Sequence, residues 1–253
     1  MGVDNIAVVV PYYDESPRIL SRCLESIQKQ TLKVDTILIA DGKPKDWIND
    51  SFDLRHIKLD KPHGDNGNTP RGLGAMIAAA ENYDAIAFLD ADNWYEYNHI
   101  ETCVDAIKNS ETDIQDIDYV VSRRNIVTPD GELIDHNPQA GHVDTSEYMF
   151  LPGSYYILPY WVTMPKQFGP ICDRIMNLIT INENLKYVET GLKTVNFLMR
   201  YFNVYKSENL PVPPEATHKI PWQQIRQWYY SLSIDEQKYV CAMIGFKEKT
   251  LFI

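Results

Sequence analysis

"IAFLDADNWYEYN", from Ile86 to Asn98, decides the fold. An apolar run of strand length ends at Leu89 and is followed at once by Asp90 and Asp92. A chain that needs only a turn gains little from two carboxylates one residue apart. A chain that holds a hard divalent cation gains oxygen ligands of the kind Mg2+ and Mn2+ prefer. The tripeptide alone is a weak signal, because Asp116-Ile117-Asp118 repeats it. That copy precedes its apolar run, "DYVVSRR", instead of following one. The two copies are therefore expected at opposite edges of a sheet.

Outward from Ile86, the same strand-length pattern recurs. "NIAVVV" (Asn5–Val10) is a β-branched run closed by Pro11, and "DTILIA" (Asp35–Ala40) is closed by Asp41-Gly42. "RHIKLD" (Arg55–Asp60) reads as a further strand. Between them lie helical patterns: Ser16-Pro17 supplies an N-cap and first-turn proline, and Ile19, Leu20, Cys23, Leu24 and Ile27 follow at helical spacing. "RGLGAMIAAAEN" (Arg71–Asn82) and "YNHIETCVDAIKNS" (Tyr97–Ser110) read as helices, the second capped by Asn98. Strand and helix alternate to about residue 125, which predicts an α/β fold with a mostly parallel, Rossmann-like sheet and helices on both faces. Strand C-termini then share one rim, where open α/β sheets bind ligands. Pro11–Glu15, Asp41 and Asp90–Asp92 are expected to converge there.

The second half is less regular. "NIVTPDGELID" predicts a hairpin, "ICDRIMNLITINEN" a helix and "FLMRYFNVYKS" a strand. Two helices are expected at the C-terminus, one from about Gln223 and one after Ser233, where Ser233 and Glu236 form a capping box.

The chain has 253 residues and a formal net charge of −11. That charge argues against nucleic-acid binding and against an anionic membrane surface. No segment approaches the ~20 apolar residues of a membrane span, and the N-terminus lacks a signal-peptide pattern, so a cytoplasmic location is expected. Cys23, Cys103, Cys172 and Cys241 are widely spaced and read as reduced core thiols.

"VVVPYYDESPRILSRCLESIQKQTLKVDTILIADG" and "NTPRGLGAMIAAAENYDAIAFLDADN" resemble the opening and the D-x-D segment of family 2 glycosyltransferases with the GT-A fold. The resemblance is specific over residues 5–98 and weaker to about 175. Asp14 stands where the family usually has Asn. The resemblance implies a GT-A-like domain over residues 1–220, with a nucleotide-binding half (1–125), an acceptor-side half (126–220) and a helical extension (221–253). It implies transfer of a sugar from a nucleoside-diphosphate sugar, a UDP-sugar favoured, to a hydroxyl of a glycan, lipid or small molecule, with inversion by a carboxylate base.

The same resemblance assigns roles. Pro11, Tyr12, Asp14 and Asp41 would line the base and ribose. Arg71 would touch phosphate or pair with Asp90. Asp92 would be the principal ligand of Mn2+ or Mg2+, with Asp90 facing ribose or metal, and His218 on a proline-rich loop would complete the metal site, His142 being the alternative. The cation also resolves how an acidic chain meets an anionic donor: it stabilises charge on the departing diphosphate. Asp173, in the "PKQFGPICDRIMN" segment, is the candidate base, although the family's usual Glu-Asp pair is absent; Asp144 is the second choice. Tyr155, Tyr156, Tyr160 and Trp161 form either a sugar-stacking wall or a core strand. A sugar nucleotidyltransferase or a dinucleotide-dependent dehydrogenase would show a glycine-rich loop where this chain reads "PYYDES". A non-catalytic nucleotide-sugar binder is the remaining alternative.

Overall fold

The computed structural model describes residues 2–136 and 142–246. One eight-stranded sheet organises them, in the order β3-β2-β1-β4-β7-β6-β8-β5. The strands are β1 (Ile6–Tyr12), β2 (Asp35–Asp41), β3 (Arg55–Leu59), β4 (Ala85–Phe88), β5 (Trp94–Tyr95), β6 (Tyr119–Val127), β7 (Tyr148–Phe150) and β8 (Tyr187–Leu198). β3, β2, β1 and β4 are parallel, as the alternation predicts. The sheet as a whole is mixed: β7 runs antiparallel between β4 and β6, and β5 runs antiparallel to β8. Two successive antiparallel steps return β6 to the direction of β4, so the rim is continuous across both halves.

Period-two alternation divides the strands between two cores. Ala7, Val9, Ile37, Ile39, Ile86 and Phe88 face one side. Val8, Val10, Leu38, Ala40, Ala87 and Leu89 face the other. Helices α1 (Pro17–Gln28) and α4 (His99–Lys108) cover the second face through Leu20, Leu24, Ile100 and Val104. The short α2 (Trp47–Ser51) adds Ile48 there. Helix α3 (Asn68–Ala80) covers the first face, and its two glycines have a reason. A Cβ on Gly72 would sit 2.6 Å from Val162, and one on Gly74 2.5 Å from Ile39. Gly72 thus admits the helical turn α5 (Tyr160–Thr163), and Gly74 lets α3 lie directly on the strands.

Helix α6 (Cys172–Asn182) and the C-terminal α8 (Trp222–Ser231) and α9 (Ile234–Met243) join the first core through Ile175, Tyr229 and Cys241. Ser233 and Glu236 form the expected capping box, and Ser16 caps α1. All four cysteines are free and buried. No helix among the described residues is long and apolar enough to cross a membrane. Residues 247–253 of the expected extension lie outside the described residues.

Three local expectations need correction. "FLMRYFNVYKS" is split: Phe197 and Leu198 end β8, while Phe202–Ser207 form helix α7. Its aromatic content misleads because Tyr205 packs as a helical residue in a small separate core. Tyr155–Trp161 is not a strand but a 3-10 helix leading into α5. Asn98 occupies the cap position of α4 without a capping side-chain bond.

Candidate active site

The sheet rim is built as the alternation predicts. Asp90 and Asp92 follow β4, and β4 is in parallel register with β1. Each carboxylate faces an arginine from a distant segment. Arg71, from the first turn of α3, donates through Nη2 to Asp90 at 2.6 Å and through Nη1 to Asn68 at 3.0 Å. Its guanidinium lies 4.8 Å above the Trp161 ring. Burial disfavours the Arg71 charge, but Asp90 outweighs it and holds the guanidinium above its usual value. Arg200, just beyond β8, donates to Asp92 at 3.3 Å. This pairing does not satisfy Asp92: burial first, then repulsion by Asp90, raises it to about 6 despite Arg200.

Later segments of the chain contribute a second set to the same rim. Asp173, in the first turn of α6, accepts from His142 Nε2 at 2.5 Å and from the Arg174 backbone N–H at 2.7 Å. Burial pushes its carboxyl up, but the His142 hydrogen bond and charge and the Arg174 N–H outweigh that and leave it lowered. Arg124, on β6, donates to the His142 carbonyl at 3.3 Å, faces His142 Nδ1 at 3.1 Å and pairs with Glu147. Asp144 caps a 3-10 turn, Thr145–Glu147, and is raised to about 6, first by burial and next by Asp90. Glu147 is raised to about 7 by burial. Tyr201 is raised by burial and then by Asp173, Asp144, Cys172 and Asp92. These shared influences tie the β4 carboxylates and Asp173 into one electrostatic cluster.

The residues assigned to the nucleotide lie at the ends of β1 and β2. Tyr12 is 2% exposed, and its hydroxyl already contacts His56 Nε2 and the Lys45 N–H, both at 2.9 Å. Pro11 is also buried. Asp14 is exposed and pairs with Lys43 at 2.6 Å and Lys45 at 3.6 Å, the Lys43 bond lowering its carboxyl. Asp41 is buried and accepts from the backbone and ring of His63. His218 does not group with Asp90 and Asp92 as a set of metal ligands; its backbone donates to the Arg200 carbonyl at 2.9 Å, and burial and Arg200 lower its ring. Of the aromatic set, Trp161 is fully buried core and Tyr156 is exposed at 54%. Asp116 and Asp118 precede β6, at the opposite edge.

Among the described residues, no three of His, Cys, Asp and Glu group as a metal cage. Asp90 and Asp92 instead suit the mode in which one or two carboxylates share Mg2+ or Mn2+ with substrate phosphate. Arg124, Arg200 and Glu147 were not singled out from the sequence. Alternation along "DYVVSRR" was the available signal for Arg124: Arg123 is exposed and Arg124 buried.

The mixed sheet thus carries paired carboxylates after β4 and an acid at the start of a later helix. Residues 7–150, more than half of the chain, match the family described as Glycosyl transferase family 2, and the chain belongs to that family. It is 29% identical over 116 residues to the succinoglycan biosynthesis protein ExoW of Rhizobium meliloti (strain 1021), covering 43% of this chain and 36% of ExoW. Among solved structures it resembles S. aureus TarS, with TM-score 0.59 at 13% identity over 92% of this chain and 45% of that one. The UDP complex of TarS residues 1–349 gives TM-score 0.58 at 14% identity, covering 96% of this chain and 80% of that one. TarS 1–349 with UDP-GlcNAc gives TM-score 0.54 at 11% identity, covering 95% and 80%. The chain thus spans about a third of ExoW and under half of the longer TarS chain.

Proposed function

We propose that this chain transfers a sugar from a UDP-sugar to an acceptor hydroxyl, with inversion at the sugar carbon. What carries this reading is the shared cluster at the rim. Asp173, from the acceptor half, acts together with Asp90 on buried Asp144 and together with Asp92 on half-buried Tyr201.

Asp14 and Asp41, at the ends of β1 and β2, offer carboxylate acceptors to base N–H and ribose hydroxyl groups. Arg71 and Arg200 place positive charge beside the position of the diphosphate, where negative charge grows as the sugar–phosphate bond breaks. Asp90 and Asp92 would hold Mn2+ or Mg2+; when bound, the ion supplies Lewis-acid neutralisation of the leaving diphosphate. Asp173 accepts the proton of the attacking hydroxyl. Its lowered pKa keeps it ionised at neutral pH.

A screen of nucleotide sugars for Mn2+-dependent release of free nucleotide, with and without candidate acceptors, tests this directly. Release from a UDP-sugar, accelerated by an acceptor, is expected. Tight nucleotide-sugar binding without release from any donor would establish a non-catalytic binder instead.

A further inference from the structure

Arg124 and His142, which lead to Asp173, are the part of the cluster that the proposed reaction leaves without a role. Arginine carries only donors, so in the neutral form of His142 a guanidinium nitrogen 3.1 Å from Nδ1 makes that nitrogen the acceptor. The ring proton then sits on Nε2, which faces Asp173 at 2.5 Å. The same geometry disqualifies His142 as the base, because its one lone-pair nitrogen is covered by Arg124. Arg124 is itself fixed, 6% exposed, by its pair with Glu147 and its bond to the His142 carbonyl. Glu147 also accepts from the Asp144 N–H at 2.6 Å.

We propose that Arg124 and His142 are positioning residues for Asp173: Arg124 fixes the His142 tautomer, and His142 Nε2–H orients the carboxylate toward the acceptor hydroxyl. This rests on the assignment of Asp173 as base. The Arg174 N–H holds the other oxygen at 2.7 Å, so the carboxylate is anchored at both ends while each oxygen keeps a lone pair for the acceptor proton. The charged and titratable groups around it and its partner His142 are Arg174 on α6, Cys172 at its start, Arg124 on β6 with its partner Glu147, Asp144 at the cap of the 3-10 turn, Tyr148 on β7 and Tyr201 beyond β8.

The test uses the full chain and two readouts. NMR gives the Asp173 carboxyl titration and the protonated nitrogen of His142 in wild type, His142→Ala and His142→Gln. Turnover of UDP-GlcNAc to UDP, with UDP binding as the reference, is measured across pH in the same proteins and in Asp173→Asn. The expected result is a proton on Nε2 and an Asp173 titration that moves up in His142→Ala. Glutamine, whose side-chain N–H occupies the place of Nε2–H, should bring it back. Turnover should fall by roughly tenfold in His142→Ala, with its acidic limb at higher pH, UDP affinity unchanged and recovery in His142→Gln. A proton on Nδ1, or an Asp173 titration indifferent to His142→Ala, overturns the proposal whatever the activity. Full turnover in Asp173→Asn with the NMR linkage intact overturns the base assignment itself and leaves the His142 bond a structural one.

Discussion

Asp90-Ala91-Asp92 and Asp116-Ile117-Asp118 are the same pattern at two ends of one sheet, and the chain uses them differently. The first follows β4; its carboxylates are mostly buried, each faces an arginine, and Asp92 is raised to about 6. The second precedes β6. Asp116 makes an exposed pair with Lys186 at 3.4 Å, and Asp118 accepts from the Lys186 N–H at 2.7 Å, a staple between β6 and the start of β8. Charge at a strand's beginning here ties strands together; charge at a parallel strand's end is gathered with other charges into a cluster. Sequence composition does not separate the two tripeptides. Their position relative to the strand does.

Exchanging single residues between the two tripeptides should expose that asymmetry. Asp92→Ala is expected to lower sugar-nucleotide turnover by roughly 10²–10³-fold, the usual loss when one stabiliser of developing charge is removed. Asp116→Ala should leave turnover at the wild-type rate in the same assay. Comparable losses in both would erase the distinction.

Arg71→Ala removes a buried guanidinium from half-buried Asp90 and from the Trp161 ring and should cost about 2 kcal/mol in urea unfolding. Asp118→Ala removes one charge-to-backbone hydrogen bond, for about 1 kcal/mol, with turnover per folded molecule unchanged. A larger loss from Asp118→Ala than from Arg71→Ala would reverse the energetic order.

The pH dependence of the cation-free protein sharpens the contrast further. Asp92 is raised above its unfolded value, so the folded state holds its proton more tightly than the unfolded chain does. Its contribution to stability is complete below the ordinary carboxylate range and is lost as pH rises through about 6. Asp144 and Glu147 act in the same direction and remain in either variant. Asp92→Asn should therefore stabilise the cation-free protein by on the order of 1 kcal/mol at about pH 8, with little effect at about pH 4. Thermal unfolding across pH checks this; destabilisation at the higher pH would mean that Arg200 satisfies Asp92 after all.

The parallel half was legible because its signals are local. Each strand is a short apolar run, alternation sends Val8 and Val9 to opposite cores, and the rim residues follow directly. The antiparallel half was not. β7 is three residues long, and β8 is largely exposed along its first part, so neither shows the pattern of a buried strand. The site was half legible for the same reason. Asp90, Asp92, Arg71 and Asp173 sit where local sequence places them, at strand and helix ends. Arg200 reaches Asp92 across 108 positions, and Arg124 reaches Glu147 across 23; no local pattern marks either pairing.

The central claim is that Asp90 and Asp92 share a divalent cation with a nucleoside diphosphate. Thermal unfolding with Mn2+, with UDP and with both together measures it directly in wild type, Asp92→Ala and Asp116→Ala. A stabilisation by the pair that exceeds the sum of the separate shifts, abolished in Asp92→Ala and kept in Asp116→Ala, is the predicted result. Additive shifts in wild type, or synergy that survives in Asp92→Ala, would contradict it.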